Sequence, residues 1–73
     1  MAGDANVFRT TMMMRLRMFS EALDQHMTAL HRMYHEGLLP EKVYLTDVSM
    51  TSQEKEAIEQ AIQLIRMHRD TQG

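Results

Sequence analysis

The sequence predicts an all-α fold, an antiparallel hairpin of two coiled-coil-like helices, and three observations support this prediction. The 73 residues include one Pro, three Gly, two Tyr, two Phe and no Trp, which is few turn and aromatic residues for a β-sheet protein. Apolar residues recur with a helical period in both halves of the chain. Between the halves, Gly37 and Pro40 mark a helix end and a break. The length predicts a single domain, residues 1–73, and without Cys no disulfide can brace it.

The first helix is predicted over residues 8–36, and residues 1–7 before it are expected to fray. With about 100° of rotation per residue, most apolar side chains of this segment share one face. Leu16, Leu23 and Leu30 recur every seven residues, which is the spacing of a hairpin or coiled-coil seam. The predicted hairpin core on this helix is Met12, Leu16, Phe19, Leu23, Met27, Leu30 and Tyr34.

A connection is predicted over residues 38–50. Gly37 suits the left-handed position that follows a helix C-terminus, and Pro40 cannot continue that helix. The apolar residues 43–45 follow no convincing helical period, which favours a partly ordered segment that packs over the open end of the hairpin. The alternative is a helix that starts at Pro40 and runs on into the second helix.

The second helix is predicted over residues 52–69, and residues 70–73 are expected to fray. Thr51 and Glu54 have the spacing of a capping box, in which a hydroxyl and a carboxylate satisfy backbone N–H groups at a helix start. The predicted hairpin core on this helix is Ile58, Ile62 and Ile65, which recur on one face.

A second, smaller apolar stripe on the first helix predicts a contact with another chain. Its residues lie at about 200–280° on a helical wheel with Met12 at zero, away from the leucine seam. Two residues of the second helix give it a similar outer patch. The predicted partner-binding residues are Val7, Met14, Met18, Ala22, Ala29, Leu64 and Met67. The nine Met of the chain favour this interpretation, because Met side chains adapt to a partner's surface.

The size of the hairpin also favours association. Ordering about 65 residues costs roughly 100 kcal/mol, and a two-helix hairpin buries only one stripe on each helix. With disulfides excluded, the remaining stabiliser is association with another protein or with a second copy of the chain. The alternative is that Met13, Met14 and Met18 are merely exposed, as scattered apolar residues often are.

The charged and polar residues predict a non-enzymatic protein without cofactors. A net charge of −2 lacks the basic footprint of a nucleic-acid-binding domain. The sequence suggests no Ser-His-Asp set and no Gly-rich phosphate loop. His31 and His35 have a spacing that suits Zn²⁺, but further ligands are missing, so no metal site is predicted. No apolar run is long enough for insertion across a bilayer.

The turn and the second helix resemble a known family. Residues 37–41 read GLLPE, residues 43–45 read VYL, and residues 56–65 read EAIEQAIQLI. With these segments, the chain from about residue 15 to 69 resembles the small co-chaperones of type III secretion needle subunits, the YscE/PscE/EscE/SsaE-like family. The resemblance implies an antiparallel helical hairpin in the bacterial cytoplasm. It also implies a tetratricopeptide-like chaperone as partner, which holds the needle subunit as a monomer and is stabilised by the small protein.

Three other interpretations stay open. The first is a self-assembling homodimer, a four-helix bundle that acts as a small regulator of the Rop or Hha kind. The second is a nucleoid modulator, because residues 14–17, MRLR, are similar to an early segment of Hha-like proteins. The third is a metal binder that uses His31 and His35.

Overall fold

The computed structural model describes the backbone of residues 2–72 and the side chains of residues 4–67. Within the described backbone the chain forms two helices, α1 (Ala2–His35) and α2 (Glu41–Gln72), and no strand. The helices pack side by side and form a rod with extents of 54 × 16 × 11 Å. The predicted all-α helical hairpin is therefore confirmed.

Contacts across the seam show that the two helices run in opposite directions. Near the turn, Tyr34 of α1 stacks on Tyr44 of α2, with ring centroids 4.2 Å apart and ring planes 7° from parallel. Farther from the turn, Asp24 of α1 pairs with Lys55 of α2. Moving back along α1 thus corresponds to moving forward along α2, as an antiparallel hairpin requires.

The end of α1 follows the prediction made from Gly37. This residue has a φ of +75°, a left-handed conformation that glycine adopts without steric cost. Its N–H donates to the Tyr34 carbonyl at 3.1 Å, and the Leu38 N–H donates to the Met33 carbonyl at 2.9 Å. These two hydrogen bonds form a Schellman motif, which satisfies carbonyls that the helix end would otherwise leave unpaired.

The predicted connection over residues 38–50 is wrong, because residues 41–50 belong to α2. The Pro40 carbonyl accepts the first hydrogen bond of that helix from the Tyr44 N–H, at 2.9 Å. The alternative helix that runs on from Pro40 is thus the one observed. The β-leaning residues of this segment are held in a helix because packing of Tyr44 against α1 outweighs weak intrinsic preferences.

The predicted capping box at Thr51 and Glu54 is wrong for the same reason. Both residues lie inside α2, more than two turns after its start at Glu41. Thr51 is only 2% exposed, and its hydroxyl donates to Asp47 Oδ1 at 3.2 Å, one turn earlier in the same helix. The Thr51 hydroxyl therefore donates a hydrogen bond to a side chain of the same helix, whereas the capping box required it to accept one from a backbone N–H group at a helix start.

Both helices are longer than predicted at their outer ends. The backbone of residues 2–7 and 70–72 is helical, where the sequence predicted fraying, while Met1 and Gly73 lie outside the described backbone. The first turns carry Asp4 in α1 and Glu41 in α2. These carboxylates favour helix starts because they face the positive end of the helix dipole.

The seam between the helices buries little apolar surface. Among the described side chains, Leu30 is the one apolar residue that is buried, with 5% of its surface exposed. Other predicted core residues are half-buried, namely Met12, Leu16, Leu23, Met27, Tyr34, Ile58, Ile62 and Ile65. Met13 and Ser20, which were not predicted to face the seam, are half-buried as well.

Candidate interaction surface

A group of polar residues links the two helices halfway along the hairpin. His26 Nε2 lies 3.2 Å from both carboxylate oxygens of Asp47, which also accepts the hydroxyl proton of Thr51. A single polar position in a helix–helix seam fixes the register of the helices at some cost in stability. The His26–Asp47 contact is partly exposed and joins α1 to α2 along one edge of the seam, where it favours one alignment of the two helices.

A second polar contact joins the two helices on the opposite side of the seam from His26. The Lys55 ammonium donates a hydrogen bond to Asp24. This hydrogen bond raises the pKa of Lys55 above its ordinary value, and attraction to Asp24 and Glu59 adds to it, while partial desolvation opposes it. Both side chains stay partly exposed, so water screens the ion pair and its contribution to stability is modest.

Aromatic side chains close the turn end of the hairpin. The Tyr44 hydroxyl lies 2.6 Å from His31 Nδ1, and the two rings meet edge to face with centroids 5.6 Å apart. His31, considered in the sequence as a metal ligand together with His35, thus contacts a tyrosine of α2. Within the described residues, no three His, Cys, Asp or Glu side chains are grouped closely enough to hold a metal ion.

The assignment of Phe19 to the hairpin core is wrong. It is 57% exposed, so it lies outside the seam that the sequence assigned to it. The reason is that Met12, Phe19, His26 and Met33 repeat every seven residues, and such a row drifts by about 20° per heptad on a straight helix. Met12, at the start of this row, is half-buried in the seam. Phe19 and Met33 are exposed, which shows that the later part of the row lies outside the seam.

The predicted partner-binding residues all lie outside the seam. Met14 is 59% exposed, and the other residues of this set are exposed as well, namely Val7, Met18, Ala22, Ala29, Leu64 and Met67. Arg15, Met18, Phe19 and Ala22 line a shallow, mainly apolar concavity on α1. Phe19 therefore belongs to the outer surface, beside Met18 and Ala22, rather than to the core.

The two inter-helix polar contacts show that the hairpin has two different sides. Asp24 and His26 are about 200° apart on the wheel of α1, so their contacts with α2 lie on opposite sides of the seam. On the Asp24 side, a polar groove also includes Ser52, Glu56 and Glu59.

The opposite side, which carries His26, is mainly apolar. At about 100° per residue, the exposed apolar side chains on this side fall roughly 60–120° from the centre of the seam on each helix. We call this surface the apolar face; its residues are Phe8, Phe19, Ala22 and Met33 of α1 and Val43, Met50, Ala57 and Leu64 of α2. Arg15 and Glu54 interrupt it.

The sequence contained a signal for the α2 half of the apolar face. Val43, Met50, Ala57 and Leu64 recur every seven residues, which is a coiled-coil repeat. The predicted connection over residues 38–50 hid this repeat, because it removed the first two members from the helix. Only Leu64 of the four was therefore predicted to lie on a binding surface.

Neither helix, over the residues that the structure describes, is long and apolar enough to cross a bilayer. Comparisons with family models, curated proteins and solved structures give no match to this chain.

Proposed function

We propose that this protein is a small, non-enzymatic co-chaperone that binds a larger helical protein and stabilises it. The observation that carries the proposal is the imbalance between the inside and the outside of the hairpin. Leu30 is the one buried apolar residue among the described side chains, whereas Met14 and Met18 are well exposed on α1. A protein with this distribution gains stability when another chain covers its outer stripe.

The contact surface of this proposal is the back of α1, farthest from α2. Val7, Met14 and Met18 fall there, at about 200–240° on the wheel, and Ala22 and Ala29 border them. The small side chains allow a partner helix to approach, and the Met side chains adapt to its shape. This is the helix-in-groove mode, in which one apolar helix face fills a concave helical surface.

Stabilisation of the partner follows from mass action. A protein that binds only the folded form of its partner stabilises that form by about 2.7 kcal/mol when its free concentration is a hundred times Kd. The same relation holds in reverse for the hairpin. Mutual stabilisation of this kind needs no catalytic group, pocket or cofactor.

The finer proposal is a co-chaperone of type III secretion in the bacterial cytoplasm. Its partner would be a tetratricopeptide-like chaperone that keeps the needle subunit monomeric. Support comes from the resemblance, which covers the chain from about residue 15 to 69, and from the turn at Gly37, whose left-handed conformation ends α1. The partner's stacked helix pairs would form the concave surface that receives α1.

The test is co-expression with such a needle chaperone, followed by calorimetry on the purified chains. The double variant Met14→Asp, Met18→Asp should abolish binding, because it buries two unpaired carboxylates in the interface. The matched control is Thr10→Asp, Thr28→Asp, which adds the same charges at exposed residues on the polar side of α1. The control should bind like the native chain.

Two results would contradict the proposal at different levels. Unchanged affinity of the Met14→Asp, Met18→Asp variant would show that the stripe is not the contact surface. Failure of the native chain to bind any needle chaperone would remove the assignment to type III secretion.

A further inference from the structure

We propose that the apolar face binds a second copy of this chain, so that two hairpins form a four-helix bundle and the back of α1 stays available for another protein. This inference concerns the apolar face, whereas the proposed function uses the back of α1, and the two surfaces meet along an edge at Ala22 and Ala29. The supporting observations are the exposed area of the chain, the position of the apolar residues on one side of the hairpin, and the fit between large and small residues of the apolar face.

The exposed area of the chain is the first argument. The structure exposes 5953 Å², whereas a monomeric protein of 8.5 kDa exposes about 4,700 Å². The excess of about 1,300 Å² exceeds the roughly 800 Å² that each partner buries in a standard protein–protein interface. One broad side of a rod measuring 54 × 16 Å supplies an area of that order.

Sidedness is the second argument. The His26–Asp47 contact identifies which side of α1 and which side of α2 form one side of the hairpin. Both helices contribute apolar residues to that side. Two packed helices with a shared apolar side present a flat surface rather than a single ridge. Another two-helix layer covers such a surface fully, as in antiparallel four-helix bundles.

The fit of Phe19 is the third argument. The His26–Asp47 and Asp24–Lys55 contacts show which residues of the two antiparallel helices lie at the same height along the rod. By this correspondence, Phe19 of α1 lies at the height of about residue 57 of α2. When a twofold axis parallel to the helices relates two copies, α1 of one packs on α2 of the other at this level. Phe19 then meets four residues at i, i+3, i+4 and i+7 spacing, which are Glu54, Ala57, Ile58 and Ala61.

Met50 fits in the same way. It lies at the height of about residue 26 of α1 by the same correspondence, and it is 57% exposed. In the second copy it meets the four residues Ala22, Gln25, His26 and Ala29, again at i, i+3, i+4 and i+7. Both large side chains of the centre of the apolar face therefore face alanines of the other copy. The twofold axis makes each contact twice.

The first experiment is the solution mass of the purified chain by sedimentation equilibrium. The native chain should have twice its monomer mass of 8.5 kDa. Met50→Glu should weaken self-association at least about tenfold, because it places an unpaired charge between apolar surfaces. The matched control is Met14→Glu, an equally exposed Met on the back of α1, which should keep the native mass.

The second experiment does not depend on a destabilising charge. The chain has no Cys, so Ala22→Cys and Ala57→Cys can be made separately, mixed and oxidised. Random pairing of equal amounts would make half of the disulfides mixed and a quarter of each homodimeric kind. The twofold arrangement places α1 of one copy on α2 of the other, so the mixed disulfide should make up well over half of the product. All large apolar side chains remain in both variants.

Several results would overturn the inference. These are a monomeric native chain, a dimer that Met50→Glu leaves intact, or a dimer that only Met14→Glu dissociates. A mixed disulfide that makes up half of the product or less would overturn the arrangement of the helices. Loss of binding to a needle chaperone by the Met14→Asp, Met18→Asp variant alone would leave the dimer standing, so the two proposals fail independently.

Discussion

At the scale of the residue, full burial among the described apolar side chains is limited to one leucine. Leu30 is buried between the helices, while its neighbours on the seam keep part of their surface in water. The sequence predicts this core position, because Leu16, Leu23 and Leu30 repeat along one face. It does not predict how unequally the three leucines are buried, since burial depends on the residues that α2 places opposite each of them.

Leu30→Ala should destabilise the hairpin by about 2–3 kcal/mol, at the lower end of the range for buried leucines because the small structure can partly collapse around the gap. The measurement is urea unfolding followed by far-ultraviolet circular dichroism. Leu45→Ala is the control, because Leu45 is exposed on α2 and lies outside the apolar face. It should change the free energy of unfolding by less than about 0.5 kcal/mol. Equal effects of the two changes would contradict the assigned core.

The ion pair of Lys55 predicts a dependence of stability on alkaline pH. Its folded-state pKa lies above the ordinary value of 10.5, mainly because of the hydrogen bond to Asp24. The stabilising contribution is therefore present below that ordinary value, and it is lost as the pH rises through the raised pKa. The melting temperature of the native chain should fall more steeply above about pH 10.5 than that of Lys55→Met.

This comparison isolates Lys55, because every other titratable group is the same in both proteins. Lys55→Met keeps most of the apolar stem of the side chain and removes the charge. Parallel curves for the two proteins would show that the contact with Asp24 does not contribute to stability.

At the scale of the element, the unbroken α2 is the main departure from the sequence prediction. The pattern at Thr51 and Glu54 is local, and it has the same spacing inside a helix as at a helix start. What decides between the two is whether residues 41–50 pack against α1. Tyr44 does so through Tyr34 and His31, contacts that join residues 10 or more positions apart and that no local pattern contains.

Thr46→Pro tests the continuity of α2. In a helix interior proline removes a hydrogen bond and clashes with the preceding turn, at a cost of about 3 kcal/mol. We expect a clear loss of helical signal in circular dichroism and of the cooperative thermal transition. Thr46→Ala should keep both, because Thr46 is exposed. A tolerated proline would instead support the connection that the sequence predicted over residues 38–50.

Predictability differs between the two helices for a physical reason. The heptad leucines and Gly37 define the seam and the end of α1 by chemistry that lies within a few residues. The outer surface was predicted in part, through Met14, Met18 and Leu64, because exposed apolar residues off the seam are visible on a helical wheel. The sequence did not place Phe19 and Met50 on the outer surface. For Phe19, the heptad pattern had to be corrected for its drift on a straight helix, and for Met50, α2 had to be recognised as starting before residue 50.

At the scale of the whole molecule, the hairpin is a rod rather than a globule. Its radius of gyration is 16.7 Å, compared with about 11 Å for a compact domain of 73 residues. A rod of two helices encloses few side chains, and among the described ones only Leu30 and Thr51 are buried. Association therefore supplies the missing layers, through the apolar face in our inference and through the back of α1 in the proposed function.

The melting temperature should therefore rise with the concentration of the chain. Folding coupled to association depends on concentration, because dilution favours separate chains. Differential scanning calorimetry over a wide concentration range measures this dependence. Met50→Glu should melt at a lower temperature that no longer varies with concentration. A native melting temperature that is independent of concentration would argue that the hairpin is stable as a monomer.

The stacked pair at the turn end gives the molecule an optical reporter of its own. Tyr34 and Tyr44 are the two tyrosines of a chain without tryptophan, so its near-ultraviolet tyrosine signal arises from their parallel rings alone. The far-ultraviolet signal, in contrast, reports on both helices along their whole length. Comparing the two during unfolding would show whether the turn end opens before, with or after the helices melt, without any label added to the protein.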